Sequence, residues 1–115
     1  MELPSAWLVG PKGVRIPLEK TVNRAQRRRG LLRRGSLDGA LLIDQCRSVH
    51  TVGMRFAIDV AFVSLQARSL TIHSTVTMHT NRFGLPRLRS NAVLEAEAGS
   101  FARWDLQAGQ SWGIE

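Results

Sequence analysis

The sequence predicts a mainly β domain at the margin of α+β, either a small barrel or a two-layer sheet. About seven short strands are expected, with one or two short helices. Three observations predict this. Residues 54–63 alternate strictly between two faces, as a strand does. Glycine-bearing turn signals recur between short apolar runs. The helical patterns are brief, one between Thr21 and Arg29 and one turn from Ser100 to Trp104.

The elements follow in chain order. Ser5–Val9 is a short apolar run closed by Gly10-Pro11, and Val14, Ile16 and Leu18 then alternate with Arg15 and Pro17. An N-terminal hairpin is expected, with Pro17 confining its second strand to an edge or a strand end. Thr21 or Asn23 can cap a helix that ends near Arg29, with Gly30 just past its end. Ala40-Leu41-Leu42-Ile43, bounded by turns, suits a strand buried on both faces. After an irregular polar stretch from Asp44 to Thr51, Gly53 opens the longest strand pattern. Met54, Phe56, Ile58, Val60 and Phe62 fall on one side, and Arg55, Ala57, Asp59, Ala61 and Val63 on the other. Leu70–Met78 alternates again and is expected to pair antiparallel with it. Thr80–Ser90 reads as a loop, and Asn91–Ala96 as a strand. Ser100 can cap the turn through Trp104, and Ser111–Ile114 closes the domain as a strand.

At 115 residues the chain is expected to form one domain. With 43% apolar and 22% charged residues it is not a disordered tail, a collagen-like fibre or a disulfide scaffold. No apolar run approaches the roughly 20 residues of a membrane span. Met1-Glu2-Leu3-Pro4 lacks the pattern of a secretory signal. Cys46, the only cysteine, cannot form an internal disulfide, so a reducing cytoplasm is the expected compartment.

The charge is lopsided. The net charge is +7, and fourteen of the sixteen bases are arginine. The first 58 residues hold all of the excess. Lys20, Arg24, Arg27, Arg28, Arg29, Arg33 and Arg34 form a run without one acid. Such a run attracts phosphate-rich polymers and acidic surfaces, or is simply a solvated face. Arg24, Arg28, Arg29 and Arg33 are its candidate patch residues.

Few residues carry chemistry. Cys46 and His50, four apart, could work with Asp59 as a nucleophilic set, but a lone cysteine is more often a small buried hydrophobe. His50, His73 and His79 match no compact metal-ligand spacing, so no metal is expected. Asp59 lies mid-strand between small apolar neighbours. A carboxylate there must be paired, hydrogen-bonded or solvated through a cleft. No phosphate-binding loop, dinucleotide fingerprint or nucleophile elbow is present, and no cofactor is expected. Trp7, Trp104 and Trp112 are scattered and build no stacking platform for bases.

Four pieces of sequence, in order, resemble one family. Arg27, two residues, Gly30-Leu31-Leu32, one residue and Arg34 are similar to its arginine–glycine-leucine-methionine–arginine signature. Gly39-Ala40-Leu41-Leu42 resembles its glycine-methionine-leucine-phenylalanine strand, and Val49–Asp59 its central block. Ala92–Gly99 resembles its valine-leucine-glutamate followed by alanine-glycine. The family is the bacterial and archaeal domain of unknown function 192. Its tryptophan-methionine-lysine-asparagine-threonine stretch is replaced here by His50-Thr51-Val52-Gly53-Met54. The resemblance implies a compact, mostly β domain with a short arginine-bearing helix, and no activity.

The expected function is a non-enzymatic binding module. Arg27, Arg34, His50, Thr51, Asp59 and Glu95 would converge on one cleft for a small polar or anionic ligand, or for an acidic protein surface. In the structural version, Arg27 or Arg34 pairs with Asp59 or Glu95 and locks the helix to the sheet. A hydrolase or transferase using Cys46, His50 and Asp59 is the enzyme alternative. Non-specific nucleic-acid binding through Lys20–Arg34 ranks below the ligand module, because both readings need the same arginines.

Overall fold

The computed structural model describes residues 6–21, 23, 26, 30–31, 37–84 and 89–115. The described residues form seven strands: β1 (Ala6–Val9), β2 (Arg15–Lys20), β3 (Ala40–Asp44), β4 (Ile58–Leu65), β5 (Ser69–Met78), β6 (Ala92–Glu97) and β7 (Ser111–Ile114). Among the described residues one short helix, α1 (Ser100–Trp104), lies between β6 and β7. The strands close a barrel in the order β1-β2-β3-β6-β4-β5-β7, with β7 returning to β1 through Leu8 and Ile114. Of the two architectures that the sequence allowed, the barrel is the one formed.

The N-terminal hairpin forms as expected. Its turn is held by hydrogen bonds from Gly10 N–H to Val14 O (2.8 Å) and from Gly13 N–H to Gly10 O (3.0 Å). β2 is not an edge strand, however. It pairs antiparallel with β1 and parallel with β3. Pro17 is tolerated because the β3 ladder begins only at Leu18, opposite Ala40. There Gly39, at φ +96°, lets the chain pass so close to Pro17 that a Cβ would overlap the Pro17 carbonyl oxygen.

The β2–β3 pair is the one parallel pair among the described strands. Parallel neighbours need a crossover that leaves the sheet and returns. Here the crossover is residues 21–39, which carry nearly the whole arginine run. The expected helix falls mostly outside the described residues. Two hydrogen bonds are described there: Asn23 Oδ1 accepts Gln26 N–H (2.9 Å), and Gly30 N–H donates to Gln26 O (3.0 Å).

Two apolar clusters result. One draws on all seven strands, including Leu8, Leu18, Leu42, Val63, Ile72 and Trp112, and is therefore the barrel interior. Phe101 of α1 joins it. The other holds Leu41, Ile43, Val60, Phe62 and Val93 from β3, β4 and β6, together with Leu31, Leu37, Val49 and Met54 from outside the strands. It lies on the outer face. β3, β6 and most of β4 are thus buried on both sides, which the run Ala40–Ile43 predicted for β3 alone.

The long strand pattern begins later than expected, at Ile58 and not at Met54. Gly53 adopts φ +80°, and Met54 N–H bonds back to Thr51 O (3.1 Å), so a turn occupies those positions. Met54 and Phe56 still reach the outer cluster, from a loop. β5 pairs antiparallel with β4 as expected, with a bulge between Phe62 and Val63.

Candidate functional site

Asp59 and Glu95, the two acids singled out from the sequence, stand on adjacent strands but on opposite faces. In the β4–β6 ladder Asp59 lies opposite Ala96, an interior residue, and Glu95 lies opposite Val60, an outer one.

Asp59 is buried and fully engaged. Its Oδ1 accepts the Thr77 hydroxyl (2.7 Å), and its Oδ2 accepts the backbone N–H groups of Gly99 and Phe101 (3.0 Å each). Those N–H groups begin α1, where they have no partner inside the helix. Ser100 does not cap the helix, contrary to expectation: the N-cap residue is Gly99, which has no side chain to offer. A carboxylate some forty residues away in sequence does the capping instead. The groups around Asp59 are neutral donors, so the expected Arg–Asp59 lock is not what satisfies this carboxylate.

Glu95 has a different environment. It is 4% exposed and flanked on the outer face by Leu41 of β3 and Val60 of β4. Burial pushes its carboxyl up to about 7, and a hydrogen bond from the Leu31 backbone opposes part of that rise. The crossover presses directly on it. A Cβ added to Gly30 would lie 3.1 Å from Glu95 Oε1. Two further acids share this face. Glu19, also buried, is separated from Glu95 by Leu41 in the register. Glu97 Oε1 accepts Leu37 N–H at 3.0 Å. Glu19 and Glu97 were not among the sequence candidates. Their signal was the two-residue spacing of Glu95 and Glu97, which puts both on one face of β6.

Cys46 packs beside this cluster, half-buried, with its Sγ donating to Ser48 O (3.1 Å). Burial pushes the thiol up, the Ser48 contact opposes this, and the nearby Glu95 carboxyl raises it further. That is the reverse of the shift that activates a nucleophile. Asp59, across the sheet, cannot serve Cys46 as an orienting acid.

The remaining candidates separate. Thr51 is fully buried, and its hydroxyl donates to His79 O and accepts Arg82 N–H (2.8 Å). It ties the loop after β3 to the loop after β5. His50 is exposed, with its ring 6.0 Å from that of Phe83. His73 Nε2 contacts Ser64 Oγ. Among the described residues no three His, Cys, Asp or Glu side chains gather to hold a metal ion. Arg27 and Arg34, and the patch residues Arg24, Arg28, Arg29 and Arg33, lie outside the described residues.

Residues 8–114 match the profile of DUF192, a family described as an uncharacterised ACR. The chain belongs to the DUF192 family. The match spans the whole barrel and agrees with the four sequence pieces that suggested it. No curated protein matches. Two solved structures share the fold. A protein of unknown function from Novosphingobium aromaticivorans is 20% identical, with a TM-score of 0.70 over 96% of this chain and 82% of that one. A putative transcription regulator from Sinorhizobium meliloti is 21% identical, also with a TM-score of 0.70, over 96% of this chain and 90% of that one. Within the described residues of this DUF192 domain, no helix is long and apolar enough to cross a membrane.

Two outcomes follow from the two acids. Asp59→Ala strands the buried N–H of Phe101 and the part-buried N–H of Gly99 and is expected to cost about 3 kcal/mol in urea denaturation. Asp59→Asn keeps a carbonyl oxygen for both N–H groups while its amide turns to Thr77, so it should cost only about 1 kcal/mol. Equal losses would contradict this assignment. For Glu95 the folded value of about 7 lies above the ordinary 4.5, so the folded protein holds the extra proton between them. Stability therefore falls as pH rises through that window, by on the order of 3 kcal/mol. Glu95→Gln should lack that component, so thermal melts of variant and wild type should diverge from pH 5 to pH 8. Parallel pH profiles would contradict it.

Proposed function

We propose that this domain is a non-enzymatic binding module for a small anionic ligand, held between Glu95 and the arginine-bearing crossover. The observation that carries the reading is Glu95 itself. A carboxyl with a value of about 7, buried beneath Gly30 and Leu31, is protonated in mildly acidic to neutral solution. It then presents an O–H donor in an apolar setting, where a hydrogen bond to an anion is strengthened by the low dielectric. The crossover supplies positive charge of the right kind, since Arg27 and Arg34 can each grip an oxyanion with two N–H groups. His50, Thr51 and Asp59 drop out of the ligand set, because their side chains serve other contacts or another face. The raised Cys46 thiol speaks against the hydrolase or transferase alternative.

A second reading is non-specific nucleic-acid binding. Seven bases without an acid between Lys20 and Arg34 favour it, and one structural relative carries the description of a putative transcription regulator. One experiment separates the two. Inorganic phosphate, added at constant ionic strength and pH 6, should raise the melting temperature of the wild type. The rise should shrink in Arg27→Gln and in Glu95→Gln. No rise, or one unchanged in both variants, would overturn the small-anion reading. Anisotropy with a short DNA duplex supplies the other arm. Salt-sensitive binding lost in Arg24→Glu/Arg28→Glu, with no phosphate effect, would put nucleic acid in its place.

A further inference from the structure

The two loops that Thr51 ties together carry the most exposed large apolar side chain among the described residues. Phe83 is 81% exposed and joins neither apolar cluster. Its backbone bridges that of His50, and the two rings lie 6.0 Å apart with a tilt of 40°. Hydrogen bonds beneath the rings fix the pair: Thr51 N–H donates to Arg82 O (2.7 Å), Asn81 N–H to Thr51 O (2.8 Å) and Gly84 N–H to Val49 O (2.8 Å). Thr51 is turned inward, so its neighbour His50 is left outside with Phe83.

The surroundings are basic. Residues 45–94 contain six arginines and one acid, Asp59. That acid is held on the interior face by three donors. Glu97, which reaches this end of the sheet opposite Ile58, accepts Leu37 N–H. Arg55 and Arg82 are exposed on the same two loops as the rings. Arg82 uses only Nη1 to contact its own loop, at Thr80 O (3.2 Å) and Asn81 O (3.4 Å). Its other N–H groups are open to an anion.

We propose that this loop pair binds single-stranded nucleic acid, with a base stacked on Phe83 beside His50 and the strand's phosphates held by Arg82 and Arg55. The proposal rests on neither Glu95 nor the Lys20–Arg34 run. Two observations together select the occupant. Arginines on loops without an acid call for an anion, and an open aromatic face calls for a flat apolar group. An unpaired nucleotide supplies both. Phosphate alone would leave the ring uncovered. A duplex keeps its bases stacked on one another and meets the ring only after a step is unstacked. An anionic bilayer suits the arginines but not the tip, where exposed Gly53, Asn81 and Arg82 interrupt the apolar surface of Val52 and Phe83.

The test is fluorescence anisotropy at low salt with a labelled oligothymidylate of about twelve nucleotides. Phe83→Ala removes no core contact and should weaken binding about tenfold, whereas Phe83→Trp should retain it. Arg82→Gln and Arg55→Gln should each flatten the log–log salt dependence by about 0.7, the value for one phosphate contact on a single strand. The loss in Phe83→Ala should persist in the Arg24→Glu/Arg28→Glu background, which separates it from duplex binding by the basic run. No binding of the oligonucleotide, or equal binding by wild type and Phe83→Ala, would overturn the proposal. So would a Phe83-dependent affinity for phosphatidylglycerol vesicles or for polyglutamate that exceeds the affinity for the oligonucleotide, which would make a membrane or an acidic polypeptide the occupant.

Discussion

Three strands, β3, β6 and β4, are covered on both faces, by the barrel interior on one side and by the crossover and loops on the other. A polar side chain on such strands has no water to turn to, so it must find protein donors or give up its charge. The domain uses both solutions, one on each face. Asp59 has its oxygens satisfied by three hydrogen bonds, two of them from the start of α1. Glu95 is held up by burial to about 7. The first solution anchors α1, whose Phe101 joins the interior. The second leaves a group whose protonation is balanced near neutrality, beneath Gly30 and Leu31 of the crossover.

The parallel pairing of β2 with β3 explains why Gly30, Leu31 and Leu37 lie where they do. An antiparallel hairpin at that point would have placed residues 21–39 in a loop at the end of the barrel. The parallel register brings the described part of the crossover to the outer face, where Leu31 and Leu37 join the second cluster and Gly30 meets Glu95. Two glycines make the path possible. Gly30 avoids crowding the carboxyl, and Gly39 lets the chain re-enter the sheet beside Pro17. Gly30, Leu31 and Leu37 thus meet Glu95 and Glu97 by topology and not by sequence proximity.

Alternation between faces was legible in the sequence because its period is local. The assignment of Ile58, Val60 and Phe62 to one side and Asp59, Ala61 and Val63 to the other holds in the barrel. Which side would become the interior was not legible, since both are apolar. The strand start at Met54 was misplaced because Gly53 and the Thr51 carbonyl close a turn that periodicity does not register. Pro17 suggested an edge strand, but the missing N–H matters only where a ladder is present, and the β3 ladder starts one residue later. Two of the three partners of Asp59 lie forty and forty-two residues away, on a helix start that carries no signal for a remote cap. Glu95 was singled out through a family resemblance, whereas its neighbours Glu19, Glu97 and Cys46 are brought to it by register and by the crossover.

The account rests on a carboxyl that burial on the outer face brings to the edge of ionisation. A carbon-detected NMR titration of the Glu95 side chain measures that directly. The account predicts a midpoint of about 7, with the Leu31 amide shifting in step with the carboxyl. A midpoint near the ordinary 4.5, with Leu31 unmoved, would contradict it.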